Sequence, residues 1–208
     1  MVLLSDQLLM AMDVGCGNGR WFSYLENYHL PKKAIGVDVD NFMLSQARFR
    51  FSKYSGFSFY QGDCIQDLKL ILDTLLKDKV SLMTSFGLWH HIPSYELRLY
   101  NLHLLAERLA ENGRLCVSFW QFAEDPAYAH KLIMPESLVD KVGVVADEFE
   151  TGDFFLGWQD EAEALRYCHS FSDEEIDRLA HDLGLPYRIL VGSGNDRTNR
   201  YLVAGLGL

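Results

Sequence analysis

Asp13-Val14-Gly15-Cys16-Gly17-Asn18-Gly19 is the segment whose residue types and spacing most plainly suit chemistry. Glycines at 15, 17 and 19 let the backbone turn tightly and let a ligand approach without meeting a Cβ, and a helix opening at Gly19 would offer free amides. The third glycine comes one residue too early for the dinucleotide fingerprint GxGxxG, and Asp13 stands two residues before the first glycine. A carboxylate there repels a pyrophosphate but suits a ligand carrying an ammonium or sulfonium cation. Asp38 ends Ile35-Gly36-Val37-Asp38, where a carboxylate can accept both hydroxyls of a ribose. Asp63 follows Gln61-Gly62, where it can accept from an adenine amino group. Each acid alone is equally well explained as a strand-end or capping carboxylate. Three of them ending three adjacent strands point to one ligand at the carboxyl edge of a parallel sheet.

Further candidates lie in Leu88-Trp89-His90-His91 and in Arg166-Tyr167-Cys168-His169. A guanidinium grips a carboxylate through two parallel hydrogen bonds, so Arg166 and Arg20 are candidates to hold an anionic acceptor, with Tyr167 and His169 orienting it. The bland alternative pairs Arg166 with a nearby acid and leaves Tyr167 and His169 as packing residues. His90, ending the fourth predicted strand with His91, could contact substrate or act as a base, and could equally be scaffold. Trp89 and Trp120 could stack on an acceptor base or fill the core. Cys16, Cys64, Cys116 and Cys168 form no CxxC pair, so neither a metal site nor a redox motif is expected and buried reduced thiols are.

These residues must be positioned by alternating strands and helices. Apolar runs predict strands over 8–14, 34–37, 57–61, 80–85 and 114–120, alternating with helices over 19–28, 42–51, 68–77 and 95–111. Asp40 or Asn41 caps the second helix, and Asn112-Gly113 stops the fourth. Residues 121–165 lose the alternation and read as an irregular insertion, a lid of the kind long loops in compact domains often form. Ser172-Asp173-Glu174-Glu175 reads as a capping box for a last helix that ends at Gly184. Strands over 187–191 and 201–206 close the chain.

The 208 residues suit one domain with one core, and 49% hydrophobic with 23% charged residues is the balance of a globular protein, not a disordered one. No apolar run reaches the roughly 20 residues of a membrane span. The first residues lack the basic flank and cleavage site of a signal peptide, so a soluble cytoplasmic protein without membrane or DNA partners is expected. A net charge of −10 disfavours unaided binding of a polynucleotide, which is driven by Lys and Arg, and leaves room for a local basic patch or a basic partner subunit.

The glycine loop and its three acids resemble the motifs of class I S-adenosylmethionine-dependent methyltransferases over essentially the whole chain. The resemblance implies an α/β, Rossmann-like fold with a seven-stranded, mostly parallel sheet, its last strand antiparallel and helices on both faces. It implies S-adenosylmethionine as cofactor, with Asp13, Gly15, Gly17 and Gly19 along its methionine part, Asp38 at the ribose, and Asp63 and Cys64 at the adenine. Cys16, Asn18, Val39 and Phe86 complete the expected cofactor-binding set. A narrower resemblance is carried by Gly15-Cys16-Gly17-Asn18-Gly19-Arg20, Leu88-Trp89-His90-His91, Asp153-Phe154-Phe155-Leu156-Gly157-Trp158 and Arg166-Tyr167-Cys168-His169-Ser170-Phe171. These segments are similar to those of the tRNA wobble-uridine carboxymethyl methyltransferases. That similarity implies esterification of a carboxymethyl group on tRNA, with His90, Arg166 and His169 as catalytic candidates and Arg20, Trp89, Trp120 and Tyr167 against the substrate. It further implies a small activator subunit. A small-molecule O- or N-methyltransferase and a catalytically silent cofactor-binding or partner-binding module are the alternatives.

Overall fold

The short apolar runs of the first half pair as parallel strands because each is too brief for a helix and is flanked by turn residues. In the computed structural model, which describes residues 9–138, 148–158, 161–206 and 208, they are β1 (Met10–Val14), β2 (Lys33–Asp38), β3 (Phe57–Gln61), β4 (Val80–Ser85) and β5 (Leu109–Trp120). The chain order reverses between β1 and β4 in the sheet β3-β2-β1-β4-β5, which opens a crevice beyond the carboxyl ends of those two strands. Two further strands near the end of the chain, β8 (Tyr187–Val191) and β9 (Asn199–Ala204), extend the sheet to seven, with β9 antiparallel to both β5 and β8. This is the Rossmann-like arrangement expected.

Side-chain alternation divides the core between the two faces of the sheet. Ala11, Ala34 and Leu82 pack with Phe22 of α1 (Arg20–Leu25) and with Leu44, Ala47 and Phe51 of α2 (Asn41–Arg50) and its end. Met12, Val14 and Met83 face the other way. They meet Leu68 and Leu72 of α3 (Leu68–Leu75), Leu102 and Leu105 of α4 (Tyr95–Ala106), and Ile176 and Leu179 of α6 (Asp173–Asp182). Each fully buried side chain of this size contributes about 1.5–3 kcal/mol. Asp40 caps α2 by accepting from the amides of Phe42 at 2.8 Å and Met43 at 3.2 Å.

The helix expected over 95–111 is shorter, and β5 begins earlier than residue 114. The amide of Glu107 makes the last helical bond, to His103 at 2.9 Å, and the Arg108 carbonyl then accepts from Val80 at 2.9 Å, so the edge of β4 captures the chain. Leu109 pairs with Val80, and the following residues loop out before Arg114 aligns with Leu82. Gly113 permits that loop, since a Cβ there would lie 2.8 Å from the Val80 carbonyl oxygen. The helices expected over 19–28 and 68–77 end at Leu25 and Leu75. The strand expected over 201–206 spans Asn199–Ala204, and Leu8 of the first expected strand lies outside the described residues.

The stretch expected to be irregular between 121 and 165 contains the short helix α5 (Pro126–Ala129) and a two-stranded antiparallel sheet of β6 (Asp153–Trp158) and β7 (Glu161–His169). Residues opposite each other share a face. Phe154 with Cys168 and Leu156 with Arg166 form one face, from which Phe154, Leu156 and Cys168 pack on Trp120 at the end of β5, on Phe122 and on Tyr128 of α5. Asp153 with His169 and Phe155 with Tyr167 form the other. Among the described residues, no helix is long and apolar enough to cross a membrane.

Candidate active site

The crevice between β1 and β4 holds a cleft of about 780 Å³, lined by Asp13, Gly15, Cys16, Gly17, Asn18 and Phe86 of the expected cofactor set and by Arg20. The loop that forms its floor is fixed by the amides of Gly15 and Cys16, both donating to the Val37 carbonyl at 2.9 Å. Gly15 and Gly17 have φ of 76° and 52°, the left-handed region that favours glycine, and a Cβ on Gly15 would press on Leu88 at 3.2 Å. The helix that follows has only six residues, and the amide of Gly19 is already donated to Cys16 at 3.0 Å.

Asp13 is buried under this loop and accepts from the Thr84 hydroxyl at 2.7 Å. Burial pushes its pKa up to about 7, with Thr84 opposing the rise and the Asp38 charge adding to it. Asp38 is half-buried and accepts from the amide of Gly17 at 2.7 Å and from that of Asp40 at 2.9 Å, which ties the end of β2 to the glycine loop. Val39 is exposed, with its carbonyl accepting from the Gln61 side chain. The Asp63 carboxylate accepts from the amides of Ile65 and Gln66 at 2.9 and 3.1 Å, the local turn that any strand-end aspartate can make. Cys64 is buried against the carbonyls of Val37 and Gly62, and burial raises its pKa to about 12.

The same cleft is bounded by groups not anticipated from sequence. Trp21 of α1 stands edge-on to Phe86, Phe86 stands edge-on to Tyr201 of β9, and the Tyr201 hydroxyl donates to Asp196. Tyr201 could have been found only with the register that sets it opposite Ser118. That pairing joins residues far apart in sequence.

Next to the cleft, beyond the end of β4, the expected acceptor residues separate into two groups. Trp89 is 1% exposed and edge-on to Phe119, so it belongs to the core and is removed from the substrate set. His90 is buried between His91, with ring centroids 4.0 Å apart, and Trp120, 5.1 Å away. Burial, helped by the charges of His91 and Arg166, pushes its pKa down to about 3, so its ring is neutral. His91 donates from Nδ1 to the carbonyl of Tyr167 at 3.2 Å. Arg166 is half-buried and close enough to lower the pKa of both imidazoles.

His169 and Tyr167 point away from this group. His169 is fully buried, with Nδ1 held by Asp153 at 2.6 Å and Nε2 by Glu175 at 2.8 Å. Burial opposes its charge, but the two carboxylates overcome it and hold the pKa above the ordinary value. The Tyr167 hydroxyl donates to the same Asp153 oxygen at 2.6 Å. Arg98 of α4, also fully buried, pairs with Glu150 and with Glu175 at 3.0 Å and donates to the Ile92 carbonyl at 2.9 Å. With both ring nitrogens taken, His169 has no site left for a substrate, and its expected catalytic role gives way to a structural one. Glu175 accordingly leaves its capping box half-made. Ser172 accepts from the amide of Glu175 at 3.1 Å, while the Glu175 carboxylate turns into this network.

A family model described as a methyltransferase domain matches residues 7–188. No curated protein sequence matches the chain. Three solved structures illustrate the likeness in fold. An S-adenosylmethionine-dependent methyltransferase from Methanosarcina mazei is 13% identical with a TM-score of 0.68, covering 98% of this chain and 95% of its own. One from Clostridium acetobutylicum is 14% identical with a TM-score of 0.64, covering 96% and 84%. CalS10, an amino pentose methyltransferase from Micromonospora echinaspora, is 16% identical with a TM-score of 0.59, covering 95% and 84%. The chain belongs to the methyltransferase domain family and has the Rossmann-like fold of the class I S-adenosylmethionine-dependent enzymes.

Proposed function

We propose that this S-adenosylmethionine-dependent methyltransferase O-methylates a carboxylate, namely the carboxymethyl group of a modified uridine at the tRNA wobble position. The observation that carries this reading is the meeting of two segments far apart in sequence, Trp89-His90-His91 and Arg166-Tyr167, through the 3.2 Å bond from His91 to the Tyr167 carbonyl. That meeting puts a guanidinium beside two imidazoles and the half-buried Trp120 at the carboxyl end of β4, next to the cofactor cleft.

The cleft suits the cofactor because Asp13 is a buried carboxylate with no cation among its hydrogen-bond partners in the described residues, and an ammonium would supply one. Asp13 would pair with that ammonium, Asp38 would receive the ribose, and Gly15 and Gly17 keep the floor free of side chains. Bound S-adenosylmethionine supplies an electrophilic methyl group, which a carboxylate accepts without losing a proton. Such an acceptor is ionised at neutral pH and needs no general base, so the protein's task is to orient it. Arg166 holds it through paired hydrogen bonds, and Trp120 offers a ring for a base to stack on.

Labelled methyl transfer to tRNA bearing carboxymethyluridine tests the reading. The product is an ester, so mild alkali should release the label as methanol. Arg166→Ala should raise the KM for tRNA at least tenfold. The net charge of −10 favours a second reading, methylation of a small acid or amine. Label in a metabolite pool with none in tRNA would establish that reading instead.

A further inference from the structure

We propose that His90, His91 and Cys168 form a mononuclear binding site for a zinc-class cation, one that sequence spacing does not announce. The three residues come from the turn after β4 and from β7, and one donor atom from each lies within 4.8 Å of the others. Bond lengths of about 2.0 Å to imidazole nitrogen and 2.3 Å to thiolate sulfur give donor separations of roughly 3.5 Å, so small side-chain rotations close the set around a metal. Two imidazoles with one thiolate suit Zn²⁺, and they leave a fourth position for water or an acceptor oxygen.

The surroundings favour ligation over mere packing. The carbonyl of Tyr167 can only accept, so its bond to His91 fixes the proton on Nδ1 and leaves the Nε2 lone pair free. A backbone carbonyl behind a ligating imidazole is the usual outer support of such sites. Cys168 is fully buried, and its partner across the hairpin, Phe154, joins Phe122 and Leu156 in walling the thiol. His91 is only half-buried, which gives a cation a route in. Binding expels the Cys168 thiol proton, so thiol, two neutral imidazoles and Zn²⁺ yield the complex and one proton. The site then carries one net positive charge, which an anionic acceptor would complement.

The other close group of donors, Glu150, Asp153 and His169, is not a competitor. Arg98, Tyr167 and Glu175 already occupy its ligating atoms.

The test is titration of the full-length, chelator-stripped chain with Co²⁺ as a spectroscopic stand-in for Zn²⁺, without cofactor or acceptor. One equivalent should bind and develop a thiolate-to-cobalt charge-transfer band with intense tetrahedral visible bands. Cys168→Ser should abolish the charge-transfer band, and His91→Ala should weaken binding at least tenfold. Circular dichroism and S-adenosylmethionine affinity are measured on the same samples to show that each variant is folded. Absence of the band in the native chain, its survival in Cys168→Ser, or binding that both variants leave intact would overturn the site. None of these outcomes bears on the methyl acceptor, because the titration contains none.

Discussion

A carboxylate held under a glycine loop and away from water is costly to ionise, and Asp13 illustrates both sides of that cost. With its pKa pushed up to about 7, it is mostly protonated in the empty fold below that pH. Because the folded pKa lies above the unfolded one, the empty protein loses stability as pH rises from about 4 to 7, a loss on the order of 4 kcal/mol at full extent. In the proposed complex an ammonium beside Asp13 would draw the proton off. Affinity for S-adenosylmethionine should therefore rise several-fold between pH 6 and 7, below the range of about 7.7–8.0 in which an α-amino group loses its own charge, with proton release that calorimetry in buffers of different ionisation enthalpy will detect. Asp13→Asn should flatten that dependence. Asp38→Ala should weaken the cofactor at least tenfold, because it removes the proposed ribose acceptor and leaves the Gly17 amide without its partner. Native-like affinity in Asp38→Ala would displace the ribose from β2. At this scale the sequence was most informative for Asp13, whose place two residues before Gly15 already marks it. It misjudged His169, since the same Arg-Tyr-Cys-His spacing fits a substrate contact and a buried clamp equally well.

Alternation and turn chemistry are local, so β1 to β4 and their helices could be read directly from residues, as Asp40 before α2 shows. The boundary between α4 and β5 could not. Leu109 continues the apolar face of the helix by spacing, and only the pairing with Val80 draws it into a strand. The hairpin of β6 and β7 was hidden for a related reason. Its second face buries Asp153 and His169 beside Phe155 and the half-buried Tyr167, so polar groups stand where a two-residue apolar rhythm would be read. Ion pairing fixes that face to α4 and α6. Removing one partner of a buried pair costs about 3–5 kcal/mol, whereas an apolar replacement of similar volume recovers part of the loss. Arg98→Ala should thus destabilise the protein by about that amount, and Arg98→Met by less, as read by denaturant unfolding. The clamp also has two pH limits. Asp153 is held below its usual range because bonds from His169 and Tyr167 outweigh burial, so its contribution is lost as pH falls through the lowered value. His169 is held above its own, so its contribution is lost as pH rises through the raised value. Protection factors of β6 and β7 amides in hydrogen exchange should peak between those limits. A monotonic dependence would show that another interaction anchors the hairpin.

Across the whole molecule, charge rather than fold bears on the acceptor. Twenty-nine acidic residues face nineteen basic ones, and three cations in and just after α2 are already engaged within the protein. Arg48 donates to the Phe59 carbonyl at 3.0 Å, Arg50 to the Asn18 carbonyl at 3.2 Å, and Lys53 lies 3.6 Å from Glu26. A basic tRNA-binding surface loses affinity steeply with salt, because each phosphate contact releases a counterion. A net charge of −10 works against such contacts, and its repulsion of tRNA is strongest when screening is weak. For the proposed tRNA acceptor, KM should consequently change by less than about threefold between low and physiological salt, where a basic binder would change by orders of magnitude. Adding a small basic subunit should lower KM, leave kcat nearly unchanged and restore the steep salt dependence. A steep dependence in the isolated chain would mean that a local cationic path outweighs the net charge, and the partner would then be unnecessary for binding.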